Sequence, residues 1–432
     1  MGNTPGKSKT HHLIPGGAHT YSKGDDQFPA NAPSHIIRGK GCRVWDLDGK
    51  EYIDWGMGLR SVILGHCYPT VLEAVCRQLY LGSNFTRPSW IETELAEQLV
   101  KLIPGAEMVK FAKNGSDVTT AATRLARAYT GRDLIVYCCD HPFFSIDDWF
   151  IGTTPCNSGI PGSITELSKG FHYNNLSELA ALFETYPEKI AAVIMEPVTS
   201  EPPAEGFLDQ VRDLTHKNGA IFIFDEMITG FRWDLRGAQH YFGVTPDLAT
   251  FGKALGNGFA VSALVGKREI MELGGLFSNK ERVFLLSTTN GGETHAIAAA
   301  IATITEMEQK NVIEHIWNTG RKLQTGFQEI VASRGIAEYL SLEGYPCSPV
   351  VICKGADGKP SAAMRTLFLQ EMIKQAILIP YISISFSHQQ LELEQTLEAV
   401  DQTAIIYQKA LEERAEGYLL GPEVKPVFRK YN

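Results

Sequence analysis

Ala220-Ile-Phe-Ile-Phe-Asp225-Glu-Met-Ile-Thr-Gly-Phe-Arg232 is the stretch that most clearly indicates the fold. Its apolar run leads directly into an acid and then a glycine turn, which is the pattern of a buried parallel strand that ends in a carboxylate. Open α/β sheets bind their ligands at this carboxyl edge. Asp225 is therefore a candidate to hold a proton on a heterocyclic nitrogen, and the alternative is an aspartate that caps the next helix.

A lysine stands in a glycine-rich turn downstream, within Pro246-Asp-Leu-Ala-Thr-Phe-Gly-Lys253-Ala-Leu-Gly-Asn-Gly-Phe259. A lysine among apolar residues and glycines loses hydration, which lowers its pKa, so that the neutral amine can add to an aldehyde as a Schiff base. Most lysines beside such turns are solvated surface groups. An acid suited to a ring nitrogen, followed by this lysine, nevertheless indicates pyridoxal phosphate.

The segment Asn114-Gly-Ser-Asp117 opens a predicted helix directly after a predicted strand over residues 108–112. The first turn of a helix presents N–H groups and the positive end of the helix dipole, and both suit a phosphate dianion. Gly115 permits close approach and the Ser116 hydroxyl adds a donor. The alternative is an ordinary helix N-cap.

Composition excludes several classes of protein. The 432 residues, 44% of them apolar, suffice for a large domain and a smaller one. A net charge of -9 leaves no broad basic field for nucleic acid or anionic lipid, and no apolar run approaches a membrane span. The eight cysteines lack a C-x-x-C pair and the histidines are dispersed, so we expect neither a disulfide framework nor a metal site. These features and the polar N-terminus predict a cytoplasmic enzyme.

The order of predicted elements indicates an α/β fold with a mostly parallel sheet. Residues 1–54 are expected to give an irregular arm over 1–35 and then a small antiparallel sheet with a hairpin at Asp48-Gly49. Residues 55–320 are expected to form the large domain, and residues 321–432 a smaller α/β unit. Apolar spacing predicts helices over 69–81 and 90–102.

These motifs, in this order, resemble the class III pyridoxal-phosphate aminotransferases of fold type I, and among them most closely the glutamate-1-semialdehyde 2,1-aminomutases. The resemblance extends over nearly the full length and rests on residues 14–17, 45–54, 63–66, 124–133, 195–197, 225–232 and 246–253. It implies a large domain with a seven-stranded, mostly parallel sheet, and a small domain built from both termini. It also implies an internal aldimine at Lys253, a pyridoxamine phosphate form, and two small-molecule substrates: an amino donor such as glutamate and a carbonyl acceptor.

The resemblance assigns further residues to the cofactor. Asn114, Gly115 and Ser116 fall on the family's phosphate loop. Met227 takes the place of a valine that packs under the ring, and Glu196 matches a Glu-Pro pair. The polar residue that bonds the ring hydroxyl stays open among residues 199–201.

Two other loops bear on the site. Thr289 lies in a Thr-x-Gly-Gly loop, which the resemblance implies reaches the phosphate in a neighbouring subunit, so that a homodimer with composite sites is expected. The family's aromatic-His-Gly segment reads His141-Pro-Phe-Phe144 here, which leaves Phe143 or Phe144 as the group that stacks on the ring, with core packing as the alternative.

Three departures from the aminomutases bear on the substrate. Their carboxylate-binding arginine is absent from a segment that here contains Tyr21 and Lys23. Their Gly-Ser-Trp is replaced by a segment ending in Arg60, which is a candidate to bind an acid or to form a salt bridge. Residues 379–383 form a shorter loop without their glutamate. We therefore expect an aminotransferase acting on another carbonyl compound, such as a sugar or polyol intermediate, with the aminomutase as the alternative.

Overall fold

The computed structural model describes residues 5–431, with side chains from residue 9 onward. Within these residues the chain forms two compact units. One consists of the chain up to Tyr68 together with Glu314–Arg429, and the other contains Pro69–Ile313. The division predicted from the sequence places the two boundaries after residues 54 and 320.

The described residues form strands and helices throughout both units. The strands are β1 (Ile36–Lys40), β2 (Arg43–Asp46), β3 (Glu51–Asp54), β4 (Met108–Ala112), β5 (Leu134–Cys138), β6 (Ser168–Phe171), β7 (Ile190–Met195), β8 (Ile221–Asp225), β9 (Leu248–Phe251), β10 (Ser262–Gly266), β11 (Leu340–Glu343), β12 (Val350–Cys353) and β13 (Ile377–Leu378). The α-helices are α1 (Pro5–Leu13), α2 (Met57–Arg60), α3 (Pro69–Leu81), α4 (Trp90–Leu102), α5 (Gly115–Thr130), α6 (Asp148–Ile151), α7 (Gly162–Thr165), α8 (Leu176–Thr185), α9 (Phe207–Lys217), α10 (Ala238–Phe242), α11 (Arg268–Met271), α12 (Thr294–Gln309), α13 (Val312–Ser333), α14 (Ala362–Lys374) and α15 (Gln390–Glu413).

The unit that contains Pro69–Ile313 is built on a seven-stranded sheet of order β4-β10-β9-β8-β7-β5-β6. Only β10 runs antiparallel to its neighbours, while the other adjacent pairs are parallel. Both β7 and β8 are buried along their whole length, as their continuous apolar sequences require. The predicted α/β fold with a mostly parallel sheet is confirmed.

The topology brings the carboxyl ends of six strands to one edge of this sheet. Because β10 is antiparallel to both β4 and β9, β4 runs in the same direction as β9, β8, β7, β5 and β6. The segments that follow these six strands therefore meet at a single edge. This is the edge at which α/β sheets bind ligands.

The other unit carries a four-stranded sheet of order β1-β2-β3-β13 and a separate β11-β12 pair. The first three strands are antiparallel, and β13 joins β3 in parallel. The predicted hairpin lies between β2 and β3, where Gly49 has a φ of +80° and the Asp46 carboxylate accepts the N–H groups of Asp48 and Lys50. The predicted small α/β domain from both ends of the chain is confirmed.

The prediction of an irregular arm over residues 1–35 is wrong in part, because α1 covers Pro5–Leu13. Its low apolar content gave no helical periodicity to detect, and its proline stands at the first helical position, where a missing N–H costs nothing. After α1 the chain follows short 3₁₀ turns, and a hydrogen bond of 2.9 Å joins His11 Nε2 to Asp25 Oδ2. Residues 1–4 of the predicted arm lie outside the described residues.

Candidate active site

Asp225 ends β8 at the ligand-binding edge and is 2% exposed. Its Oδ1 accepts the Met227 N–H at 2.9 Å and the Thr250 hydroxyl at 3.1 Å. Burial raises the pKa of this carboxyl to about 6, although the Met227 N–H, the Lys253 charge and the Thr250 hydroxyl all oppose the increase. The segment after Asp225 is a turn and not a helix, so the helix-cap alternative does not apply.

Lys253 follows β9, the strand next to β8, and begins a single 3₁₀ turn that ends at Gly256. Its side chain is half-buried, and its positive charge acts on the Asp225 carboxylate. The backbone of Lys253 lies in the left-handed region with a φ of +43°. Non-glycine residues seldom adopt this conformation, and such strain concentrates at functional sites.

Met227 lies between the lysine turn and the start of α5. A Cβ at Gly252 would collide with Met227 Cε, and a Cβ at Gly115 would lie 2.9 Å from the same atom. Both glycines are therefore needed for the thioether to occupy this position, where it is 9% exposed. The Met227 side chain, two residues after Asp225, thus packs against both the lysine turn and the start of α5. It gives the site an apolar surface.

The start of α5 is a well-formed helix N-terminus. Asn114 is the N-cap, and its N–H donates to Asp117 Oδ2 at 3.0 Å in a capping box. The Ser262 hydroxyl donates a hydrogen bond to the Asn114 carbonyl at 2.8 Å, and the Ser116 hydroxyl accepts one from the Ile146 N–H at 3.0 Å. Gly115 and Ser116 thus form the first turn of a 16-residue helix that is fixed in place.

The loops after β7 and β5 complete the edge. Glu196 is 3% exposed and its backbone N–H donates to His141 Nδ1 at 2.9 Å. Phe144 belongs to the core, at 1% exposure, and its carbonyl accepts the Thr119 hydroxyl. Phe143 is 41% exposed, which leaves its ring accessible to a ligand.

Thr289 is exposed, on the loop that precedes α12. Its carbonyl accepts the Asn84 amide at 3.0 Å, whereas its hydroxyl makes no hydrogen bond with any described residue. The loop continues into Glu293, whose carboxylate pairs with Lys113 at 2.5 Å. An exposed threonine on an anchored loop is the arrangement that a composite site would need.

The three predicted substrate residues lie in the other unit. Tyr21 and Lys23 are exposed on a 3₁₀ turn. Arg60 Nη1 donates to the Ser348 hydroxyl at 2.6 Å, and its guanidinium carbon lies 5.4 Å from the centre of the Tyr381 ring. Arg60 has a φ of +69° at the end of a short left-handed run, so strained backbone positions its side chain.

Sequence reasoning missed two members of the site. Thr250 is revealed only by strand register, because it lies opposite Asp225 in the β8-β9 pair. His141 was noted only as part of an altered loop, yet it is buried against Glu196. No cluster of three or more potential metal ligands occurs within residues 5–431. No helix in that range has the length and apolar character needed to cross a membrane.

The site fits pyridoxal phosphate, which is a phosphorylated pyridine aldehyde. The buried acid suits its ring nitrogen, the strained lysine its aldehyde and the helix N-terminus its phosphate, while Met227 offers the ring an apolar surface.

Residues 26–339 match the family described as "Aminotransferase class-III". The chain is 32% identical to the glutamate-1-semialdehyde 2,1-aminomutase of Natranaerobius thermophilus, over 94% of this chain and 96% of that protein.

The chain is also similar to two proteins that have other names. The chain is 34% identical to the 3-aminobutyryl-CoA aminotransferase of Cloacimonas acidaminovorans, over 92% of this chain and 95% of that one. Its fold matches the FumI protein of Sphingopyxis sp. MTA144, solved in its PLP internal aldimine form, with a TM-score of 0.86 and 26% identity over 94% of this chain and 97% of that one.

Proposed function

The chain belongs to the class III aminotransferases, whose cofactor is pyridoxal 5'-phosphate, and from this we propose that it moves an amino group from an amino-acid donor to a carbonyl compound. The observation that carries the proposal is the convergence of Asp225 and Lys253 on one sheet edge, beside the N-terminus of α5. The bound cofactor supplies an electron sink next to the substrate carbon.

Each residue then has a definite task. Lys253 Nζ would hold the cofactor covalently, and its free amine would accept and return the proton of the substrate carbon. Asp225 keeps a proton on the ring nitrogen. Because the Met227 N–H and the Thr250 hydroxyl both bond Oδ1, Oδ2 is the oxygen we expect to accept that proton's hydrogen bond.

The remaining groups bind and orient. The first turn of α5, with Asn114, Gly115 and Ser116, binds the phosphate through backbone N–H groups and the positive end of the helix dipole. Met227 would pack against the ring and exclude water, and Phe143, whose own ring is accessible, is the candidate to stack on it. Glu196 lines the site at the end of β7.

Thr289 completes the phosphate site of a second copy, so that the active form is a homodimer. The exposure of this threonine and the absence of a partner for its hydroxyl among the described residues support the assignment. Each dimer then has two composite sites related by twofold symmetry.

The acceptor is a carbonyl compound other than glutamate-1-semialdehyde, and we propose a sugar or polyol intermediate, with glutamate as the donor. Tyr21, Lys23 and Arg60 are the candidate substrate residues. The three departures from the aminomutases support this choice. The second candidate is the aminomutase reaction, which is favoured by the 32% identity to an enzyme of that name over 94% of the chain.

A two-stage assay separates the two candidates. Purified enzyme loaded with cofactor is mixed with glutamate alone, and the loss of the visible cofactor band and the yield of 2-oxoglutarate are measured. Carbonyl acceptors, including glutamate-1-semialdehyde, are then added. The proposal predicts conversion by the donor and recovery with a sugar-like acceptor. A parallel reaction omits glutamate, and isomerisation of glutamate-1-semialdehyde in that reaction would establish the aminomutase instead.

A further inference from the structure

The loop that follows β5 is bonded to α5, the helix whose first turn is proposed to bind the phosphate. This loop covers residues 141–147, and the short helix α6 comes directly after it. Three hydroxyl residues of α5 form hydrogen bonds with the loop, namely Ser116, Thr119 and Thr120. An α-helix rises by about 1.5 Å per residue, so all three lie within about 8 Å of the start of α5 along its axis. The loop is therefore attached beside the proposed phosphate site.

Two of these hydroxyls hold the backbone of the loop. The Ser116 hydroxyl accepts the Ile146 N–H at 3.0 Å. The buried Thr119 hydroxyl donates to the Phe144 carbonyl at 2.7 Å. Phe143 directly precedes this anchored residue, so the backbone that carries its ring is fixed relative to the first two turns of α5.

The Thr120 hydroxyl joins three polar groups at the end of the loop. It donates to the Asp147 carboxylate and accepts the indole N–H of Trp149 at 2.9 Å. It also lies 3.0 Å from the Ser145 hydroxyl, which accepts the Asp147 N–H at 3.1 Å. A threonine that is shared by several partners stabilises their mutual arrangement more than a single hydrogen bond would.

These contacts continue to the Phe143 ring. Asp147 is the N-cap of α6, and α6 carries Phe150. The Phe150 ring is 3% exposed and meets the Phe143 ring at an angle of 83°, with ring centres 5.7 Å apart. Phe143 itself is 41% exposed, so part of its ring is supported by Phe150 and part is accessible to a ligand.

We propose that Thr120 is a positioning residue, which acts through Asp147 and Phe150 to hold the Phe143 ring where it stacks on the cofactor. The inference rests on the proposed function, in which Phe143 is the candidate to stack. Helix α5 then contributes twice, because its first turn binds the phosphate and its Thr120 hydroxyl places the aromatic ring. The spacing between these two contacts is set by one rigid element.

A double-mutant cycle between Thr120→Val and Phe143→Ala tests this proposal. The affinities for pyridoxamine 5'-phosphate and for inorganic phosphate are measured by calorimetry, because the second probe reports on the phosphate site alone. Thr120→Ser keeps the hydroxyl. Thr123→Val is the matched control, since Thr123 lies on the same helix and its hydroxyl donates to the Thr120 carbonyl at 2.9 Å.

We expect Phe143→Ala to weaken the affinity for pyridoxamine 5'-phosphate by roughly tenfold and Thr120→Val by roughly threefold, with the phosphate affinity unchanged. The double variant should be no weaker than Phe143→Ala, and Thr120→Ser and Thr123→Val should match the wild type. Additive losses, an unchanged affinity in either single variant, or an equal loss for inorganic phosphate would overturn the inference.

A second variant keeps the test independent of the folding of Thr120→Val. Asp147→Ala removes the acceptor of the Thr120 hydroxyl at an exposed position, and its loss should likewise disappear in the presence of Phe143→Ala. If the wild type does not bind pyridoxamine 5'-phosphate, the proposed function itself fails. If the wild type binds it and the losses of Asp147→Ala and Phe143→Ala are additive, only the present inference fails.

Discussion

Burial of the Asp225 carboxyl destabilises its ionised form but favours the binding of a protonated ring nitrogen. The carboxyl is buried and its pKa is raised to about 6, so in the protein without cofactor the ionised form of this acid is disfavoured. A protonated ring nitrogen would pair with the carboxylate and relieve that cost. The same burial that disfavours the empty ionised site therefore favours a cationic heterocycle.

Replacing Asp225 by asparagine should separate binding from chemistry. Asparagine keeps an oxygen for the Met227 N–H and the Thr250 hydroxyl but cannot hold the ring proton as an anion. We expect cofactor still to bind and the rate of the donor half-reaction to fall by about 10²- to 10³-fold. Stopped-flow absorbance measures the rate of this half-reaction, and Asp213→Asn, at an exposed position, is the control. An unchanged rate would show that Asp225 does not act on the ring.

Glu226 gives a pH dependence that can be predicted with its sign. Burial raises its pKa from 4.5 to about 7, even though the Thr229 hydroxyl and the N–H groups of Gln239 and Ala238 favour the ionised form. Between these two values the folded protein binds a proton that the unfolded chain has released, so its stability should decrease as pH rises. Urea unfolding of cofactor-free protein across this range measures the slope.

The matched variant for this prediction is Glu226→Gln, which cannot ionise. Its free energy of unfolding should lose the part of the pH slope that the wild type shows between 4.5 and about 7. The Asp225 charge also raises the Glu226 pKa, so the difference between the two slopes reports Glu226 together with its coupling to Asp225. Identical slopes in the two proteins would mean that Glu226 is already ionised in the folded state.

The turn after β9 and the start of α5 depend on the same methionine. A Cβ at Gly252 would displace Met227, and the displaced side chain would intrude on the site. We expect Gly252→Ala to weaken cofactor affinity by roughly tenfold, and Gly252→Ala with Met227→Ala to recover part of it. Equilibrium dialysis measures both. Gly162→Ala is the control because its Cβ meets nothing; failure of the double variant to recover affinity would contradict this packing argument.

Elements with a strong local signal were predictable from the sequence, and elements set by pairing were not. The apolar run before Asp225 correctly predicts strand β8, and the pattern at Asn114 correctly predicts the start of helix α5. Both succeed because burial and capping depend on residues that are close in sequence. Thr250 and His141 depend on which strands lie side by side, which no local pattern encodes. Helix α1 was missed because it has no apolar stripe.

At the level of the assembled protein, the large unit exposes apolar side chains near the proposed shared loop. Phe277 and Phe284 are 87% and 75% exposed shortly before Thr289, and Tyr80 and Trp90 are 92% and 70% exposed on α3 and α4. Large exposed apolar groups commonly mark protein contacts. They support a second copy as the partner of this unit.

Subunit complementation tests the composite site. Lys253→Ala and Thr289→Ala subunits, carrying different tags, are co-expressed and the mixed dimer is purified. One of its sites then has both native residues, so activity at limiting cofactor should recover to about half that of the wild-type dimer. Each variant alone should be impaired. A mixed dimer no better than the Thr289→Ala homodimer would show that Thr289 serves its own subunit or no site.

The most direct test of the account is to identify the residue that carries the cofactor. The holoenzyme is reduced with borohydride, digested and mapped by mass spectrometry, with Lys253→Ala and the exposed Lys110→Ala treated in parallel. We predict a phosphopyridoxyl group on Lys253 in the wild type and in Lys110→Ala, and none in Lys253→Ala. Attachment at another lysine, or an unchanged label in Lys253→Ala, would contradict the assignment on which the proposed function rests.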